Sequence, residues 1–255
     1  MTFKWAEKLS GTAKFWIGLC IILVIGIGSA ALLWFVKIQL FEKNPRFTLE
    51  DVSIESRAGF WSGSNPEDRE NKSRLLCDRL GLIPGYTNLF SIDLAKLRQS
   101  IMDNIPEVEK VSVSRVLPDK LEVEMLERIP RAELSQGRLI DENGVIMDKD
   151  YCANLSMELP KLSFVTPPPS LQPGARIDDP TALMVLSFIK MITLDYPSIQ
   201  LTKVFVSNGK YIQCELIYKN HQDAPFMVFL DANISREKLH NEIPGRLIPA
   251  LDHGL

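Results

Sequence analysis

Hydrophobic and polar positions alternate most regularly between residues 108 and 127. Val111 and Val113 alternate with Ser112 and Ser114, and further on Leu121, Val123 and Met125 alternate with Glu122 and Glu124. A period of two gives each strand one buried and one wet face, so this stretch predicts a hairpin. Leu117-Pro118-Asp119-Lys120 supplies its turn, with Pro118 setting φ at the first corner. Just upstream the period lengthens to that of a helix. Leu94, Leu97, Ile101 and Ile105 fall on one side, Asp93 caps the start and Pro106 ends it. A shorter helix is predicted from about Asn71 to Leu80, with Leu75, Leu76 and Leu80 inward and Gly81 as the stop. Phe47, Leu49, Val52 and Ile54 form an opening strand whose inward set changes parity near Glu50-Asp51, which predicts a bulge there. Residues 47–127 therefore read as strand, helix, helix, strand, strand.

A different pattern precedes this unit. Phe15 to Val36 carries no charge over 22 residues and is framed by Lys14 and Lys37. At 1.5 Å per residue it would span about 33 Å, enough for a bilayer core. Trp16 and Trp34 stand near its ends, where indole rings favour the membrane interface. A cleaved signal peptide with Gly28-Ser29-Ala30 at the cleavage site is the rival, but Leu32-Leu33-Trp34-Phe35-Val36 carries the apolar run past that site. A retained anchor is expected. Lys4, Lys8 and Lys14 on one side face Lys37, Lys43 and Arg46 on the other, so charge alone does not orient it. Gly26 and Ala30 form a small-xxx-small pair suited to packing against another helix, a spacing common in any membrane helix. The expected organisation is a tail over 1–14, the span over 15–36, a polar tether over 37–46, the strand–helix–helix–strand–strand domain over 47–127 and a β-rich domain over 128–255.

Within the first domain, the Gly, Ser, Asn and Pro content of Arg57 to Glu70 predicts an enlarged loop. Phe60-Trp61 in it either presents an aromatic anchor to a partner or folds back on the domain, and folding back is favoured. Beyond Arg131 the elements shorten. Gly137 to Asp148 predicts a hairpin with Asn143-Gly144 at its tip, and Leu159 to Leu162 closes that unit. Thr166 to Gly174 is a proline-rich connection, read as a spacer. Asp179-Pro180 starts a helix reaching about Leu194. Val204 and Val206 lead into a turn at Asn208-Gly209, Ile212, Cys214, Leu216 and Tyr218 alternate, and Phe226 to Leu230 is another strand. Ser235 caps a last helix that Pro244 and Pro249 interrupt. The fold class is α+β, with a mixed C-terminal domain on an antiparallel sheet.

Several segments together resemble a known domain. Asn88-Leu89-Phe90-Ser91-Ile92-Asp93, Ile105-Pro106-Glu107-Val108, Arg115-Val116-Leu117-Pro118-Asp119 and Glu127-Arg128-Ile129-Pro130-Arg131-Ala132 are similar to a POTRA (polypeptide-transport-associated) domain. With one span in front and a β-rich segment behind, the chain resembles bacterial cell-division proteins of the FtsQ/DivIB family. The resemblance implies an N-terminus in the cytoplasm, the bulk outside the inner membrane at the division septum, and a non-catalytic scaffold linking early to late septal components. The partners it implies are FtsB- and FtsL-like coiled-coil proteins and septal peptidoglycan synthases, received by strand addition at a sheet edge. Family members usually add an edge strand after the final helix. This sequence ends at Leu251-Asp-His-Gly-Leu255, so either the sequence is shortened there or the edge is built differently, on Phe226 to Asp231 with Phe226, Val228 and Leu230. A POTRA-containing protein-transport or membrane-protein assembly factor is the alternative. It calls for several such domains or a run of barrel strands, and the sequence shows one copy and no barrel pattern.

Composition narrows the chemistry. The 255 residues carry a net charge of −3. Residues 1–36 hold three lysines against Glu7, so the negative excess lies beyond the span. Without a basic stripe, nucleic-acid binding is not expected. Cys20 lies in the span, while Cys77, Cys152 and Cys214 lie beyond it with no Cys-x-x-Cys spacing. One disulfide among the three is open, but buried free thiols are favoured. The three histidines, His221, His240 and His253, form no His-Glu-x-x-His, and neither a Gly-x-Ser-x-Gly elbow nor a phosphate-binding glycine loop occurs. Asp141 and Glu142 read as solvated turn residues. No enzyme activity, cofactor, metal or small-molecule substrate is expected. Arg115, Glu127 and Arg128 either pair across the hairpin, the favoured reading, or form a recognition edge for a partner.

Overall fold

Strand pairing divides the chain behind its first helix into two units. The computed structural model describes residues 11–57, 59–152, 158–207, 211–218, 221–231 and 236–253. Lys4, Lys8, the Asn208-Gly209 turn and Ser235 lie outside these residues.

The N-terminal unit contains β1 (Asp51–Ser56), α2 (Pro66–Leu80), α3 (Leu94–Asn104), β2 (Val108–Val116) and β3 (Lys120–Glu127), preceded by α1 (Gly11–Lys37). Its sheet has the order β1-β3-β2, with β1 parallel and β2 antiparallel to the central strand. Val52, Val113, Leu121, Val123 and Met125 meet Leu76, Leu97, Ile101 and Ile105 in one buried cluster, so both predicted periodicities lead to the same core. Asp93 accepts from the Ala95 and Lys96 amides and caps α3 as expected. The change of parity is absorbed ahead of β1. The Glu50 and Asp51 amides both donate to the Asp119 carbonyl at 2.8 and 3.4 Å, and Phe47 belongs to a separate 3-10 turn.

The expected loop over 57–70 is corrected. Its second half is the first turn of α2: Asn65 accepts from the Asp68 amide, Pro66 takes the first helical position, and Glu67 and Asp68 sit at the positive end of the helix dipole. Trp61, 1% exposed, folds into the core beside them.

The C-terminal unit is a seven-stranded sheet of β4 (Pro130–Leu134), β5 (Arg138–Asp141), β6 (Ile146–Asp148), β7 (Lys161–Phe164), β8 (Ile199–Val206), β9 (Tyr211–Tyr218) and β10 (His221–Asp231). Their order is β10-β9-β8-β7-β4-β5-β6. The expected antiparallel pairing holds except at β7, which runs parallel to both neighbours. Strands β4 to β6 and β8 to β10 are thus two meanders joined through one short strand. Helix α4 (Pro180–Asp195), capped by Asp179, lays Val185, Leu186, Ile189 and Ile192 on one face of the sheet. After β10 come α5 (Arg236–Glu242), a π-helical turn containing Pro244, and α6 (Ile248–His253), which contains Pro249.

Helix α1 continues as a π-helical turn from Ile38 to Glu42. Residues 18–42 form the one described helix long and apolar enough to cross a membrane, and its most apolar 18-residue stretch is not buried against the rest of the protein. The expected polar tether is instead largely helix.

Cys77, Cys152 and Cys214 are free and buried. Burial pushes the thiols of Cys152 and Cys214 up to about 12 and raises that of Cys77. Because thiolate is the reactive form, maleimide should label these three only after denaturation. Mass spectrometry of the labelled protein before and after urea checks this.

Candidate partner interface

Strand β9 sends Ile212, Cys214, Leu216 and Tyr218 under α4 and its alternate residues to the opposite face. β10 pairs onto it from Phe226↔Leu216 to Asp231↔Tyr211, after a register shift between His221 and Phe226. Pro225 falls within that shift, which suits a residue without an N–H that is confined to edges and bulges. β10 pairs with no other described strand. The far end of the sheet is closed: the Ile146 amide donates to the Ala175 carbonyl, and the Gly174 amide donates to the Ile146 carbonyl. Among the described residues this sheet has its open edge at β10.

Of the residues expected at that edge, Phe226, Val228 and Leu230 pack against the core. The side chains that face outward are Met227 and Phe229, the latter 63% exposed and edge-on to Tyr211 at 5.9 Å. The pairing of Val228 with buried Cys214 fixes this parity. A sequence signal was available in the alternation of β9, but it required the register.

Arg115, Glu127 and Arg128 do not pair with one another across the hairpin. Arg115 donates to the Leu89 and Ile92 carbonyls at 2.8 and 2.5 Å, over the Phe90 ring. Glu127 accepts from Ser56 Oγ and from the Phe60 and Trp61 amides at 2.7, 2.7 and 2.9 Å. Gly59 is required beside it, because φ is +98° and an added Cβ would run into the Glu127 carboxylate. Burial pushes the Glu127 carboxyl up, against the pull of these hydrogen bonds. Arg128 donates to the Pro106 carbonyl at 3.0 Å and to Asp141 at 2.9 Å.

Asp141 is therefore not a solvated turn residue: it is 2% exposed and also accepts from the Asn143 and Val145 amides. Glu142, half-buried, lies between Lys190 at 2.6 Å and Arg131 at 3.3 Å, and the Lys190 hydrogen bond holds its carboxyl below the usual range. Arg79 stacks on Trp61 and on Tyr151 of the C-terminal unit, and Tyr151 meets Phe60 at 5.1 Å. Glu107 beside this joint is 3% exposed, one of its carboxyl oxygens has no hydrogen-bond partner, and burial raises its pKa. Gly26 and Ala30 lie on the bare surface of α1, with nothing within 4 Å of the position a Gly26 Cβ would take. Among the described residues no three His, Cys, Asp or Glu side chains are grouped to hold a metal.

Residues 77–128 match the family model of the POTRA domain, FtsQ-type. A stretch of 79 residues is 32% identical to the cell division protein FtsQ of Koribacter versatilis (strain Ellin345), covering 30% of this chain and 22% of that protein. The match thus spans about a fifth of the relative's length. The chain carries an FtsQ-type POTRA domain, and the resemblance to the FtsQ/DivIB family read from its sequence is borne out.

Two substitutions probe the joint. Arg128→Ala strands buried Asp141 and should destabilise the protein by about 3 kcal/mol in thermal unfolding of the detergent-solubilised chain. An acid whose folded pKa stands above its unfolded value stabilises the fold while protonated, so Glu107 loses that contribution as pH rises above the ordinary 4.5. Glu107→Gln should raise stability by roughly 1 kcal/mol at pH 8 and by much less at pH 4.5, as a comparison of melting curves at the two pH values will show.

Proposed function

We propose that this FtsQ-type POTRA protein is a non-catalytic, membrane-anchored scaffold of the bacterial cell-division machinery. It links early and late septal components through protein–protein binding. The reading rests on one observation above all: β10 stands at the end of the larger sheet with no further described strand paired to it, and Met227 and Phe229 face outward from it. A partner segment added there gains main-chain hydrogen bonds from the open N–H and C=O groups, and pockets between alternate side chains give it register.

The partners we assign are divisome membrane proteins, FtsB- and FtsL-like coiled-coil proteins and septal peptidoglycan synthases. The N-terminus lies in the cytoplasm, α1 crosses the inner membrane once, and both sheets lie outside it at the septum. Gly26 and Ala30 offer a close-packing face to a partner's membrane helix. Arg115, Glu127 and Arg128 serve the scaffold by fixing its shape, and Phe226, Val228 and Leu230 by seating the edge strand on the core.

The test is affinity purification of the tagged full chain from membranes in mild detergent, comparing wild type with Met227→Lys/Phe229→Lys. Small single-span coiled-coil proteins should co-purify with wild type, and the double variant should retain at least about tenfold less, a loss of roughly 1.4 kcal/mol. Its circular dichroism should be unchanged, since both side chains are exposed. Recovery of barrel-assembly or secretion components instead of division proteins would overturn the proposal.

A further inference from the structure

Three segments of the N-terminal unit meet where α1 ends. Phe41, in the last helical turn, contacts Phe90 at 5.0 Å and Phe47 at 5.9 Å, and Phe47 contacts Phe90 at 4.9 Å. Asn88 donates from its side chain to the Phe41 carbonyl at 3.0 Å and to the Asn44 carbonyl at 3.3 Å. The anchor is therefore locked to the unit.

The backbone brings two further segments to the same end. The Gly85 amide donates to Leu49, and the Leu49 amide to Thr87, which fixes the 83–87 loop against the residues before β1. The Glu50 amide donates to Asp119, which places the β2–β3 turn beside them. This rim exposes Leu40, Ile83, Tyr86, Val116 and Leu117, and Tyr86, at 87%, is almost wholly uncovered. Lys43 and Arg46 are exposed on the chain between α1 and the rim.

We propose that this rim lies in the headgroup layer of the bilayer that α1 spans, with the lipid surface as its partner. The proposal rests on the membrane-spanning reading of α1. Phe41 is five residues beyond Val36, the last of the uncharged run, hence about 7.5 Å further along the axis. A headgroup layer is roughly 5–7 Å deep on each side of the hydrocarbon core. The ring that ties the anchor to the unit thus sits at the outer boundary of that layer, and no length of free chain lets the rim move away from it. Tyrosine and aliphatic side chains partition favourably at this depth, and the Lys43 ammonium and Arg46 guanidinium can meet lipid phosphates. A soluble face would have little reason to gather Ile83, Tyr86 and Leu117 from separate segments beside a membrane helix.

Spin labels at Ile83→Cys, Tyr86→Cys and Leu117→Cys test this in the full chain carrying Cys20→Ser. The protein is reconstituted into bilayer nanodiscs of phosphatidylethanolamine and phosphatidylglycerol. The three remaining cysteines are buried and stay unlabelled. Relaxation by oxygen relative to aqueous nickel reports depth. The rim labels should show an oxygen-to-nickel ratio several-fold above that of Asp103→Cys, which is exposed near the far end of α3. Water-like rim labels beside a lipid-like label at Leu33→Cys would overturn the proposal while leaving the anchor intact. Rim labels shielded from both reagents would mean protein cover and would also overturn it. A water-like label at Leu33→Cys would show instead that the membrane-spanning reading has failed, and the proposal with it.

Discussion

Arg128, just after β3, ties the N-terminal unit to the C-terminal sheet, and its neighbour Glu127 closes the N-terminal unit beside it. Successive side chains on a strand point to opposite faces, so Glu127 and Arg128 reach in different directions from one short piece of backbone. Glu127 gathers Ser56 and the Phe60-Trp61 amides and so closes the loop before α2. Arg128 gathers the Pro106 carbonyl and the Asp141 carboxylate and so ties the end of α3 to the turn between β5 and β6. An isolated buried carboxylate would be costly. Asp141 is tolerated because one guanidinium and two amides share its charge, and that sharing forces the C-terminal sheet to begin where the N-terminal unit ends.

The same logic recurs at the other end of the N-terminal unit. Arg115 fills the Leu89 and Ile92 carbonyls, and Asn88 fills those of Phe41 and Asn44. Side chains with several donors are used at both places to satisfy backbone that no strand or helix can pair. The molecule is consequently held at the anchor and at the joint, while one edge of the larger sheet has no described partner strand.

What the sequence made legible was local. The 108–127 hairpin, the Asp93 cap, the Asn143-Gly144 turn and the Asp179-Pro180 helix start all depend on neighbours within a few residues. The start of α2 was also written locally, in Asn65-Pro66-Glu67-Asp68, but the Gly and Ser residues ahead of it weighed more heavily in the reading. Asp141 could not be read as buried without knowing that Arg128 arrives from 13 residues away. The ring cluster of Phe41, Phe47 and Phe90 joins residues almost 50 apart. The outward side of β10 followed only once its register on β9 was set, because a slip of one residue exchanges Phe226, Val228 and Leu230 for Met227 and Phe229.

Strand β7 has a consequence in time. It is four residues long, lies between the two meanders and is parallel to both. β8 can join it only after α4 has carried the chain across the sheet, whereas β8, β9 and β10 pair with their own neighbours in sequence. Pairing at such separations closes slowly, because loop entropy is lost before the contacts form. The seam between the two meanders is thus expected to close after each meander has formed. A chain caught before that step would have β8, β9 and β10 paired with one another while β7 still lacked a neighbour on one side.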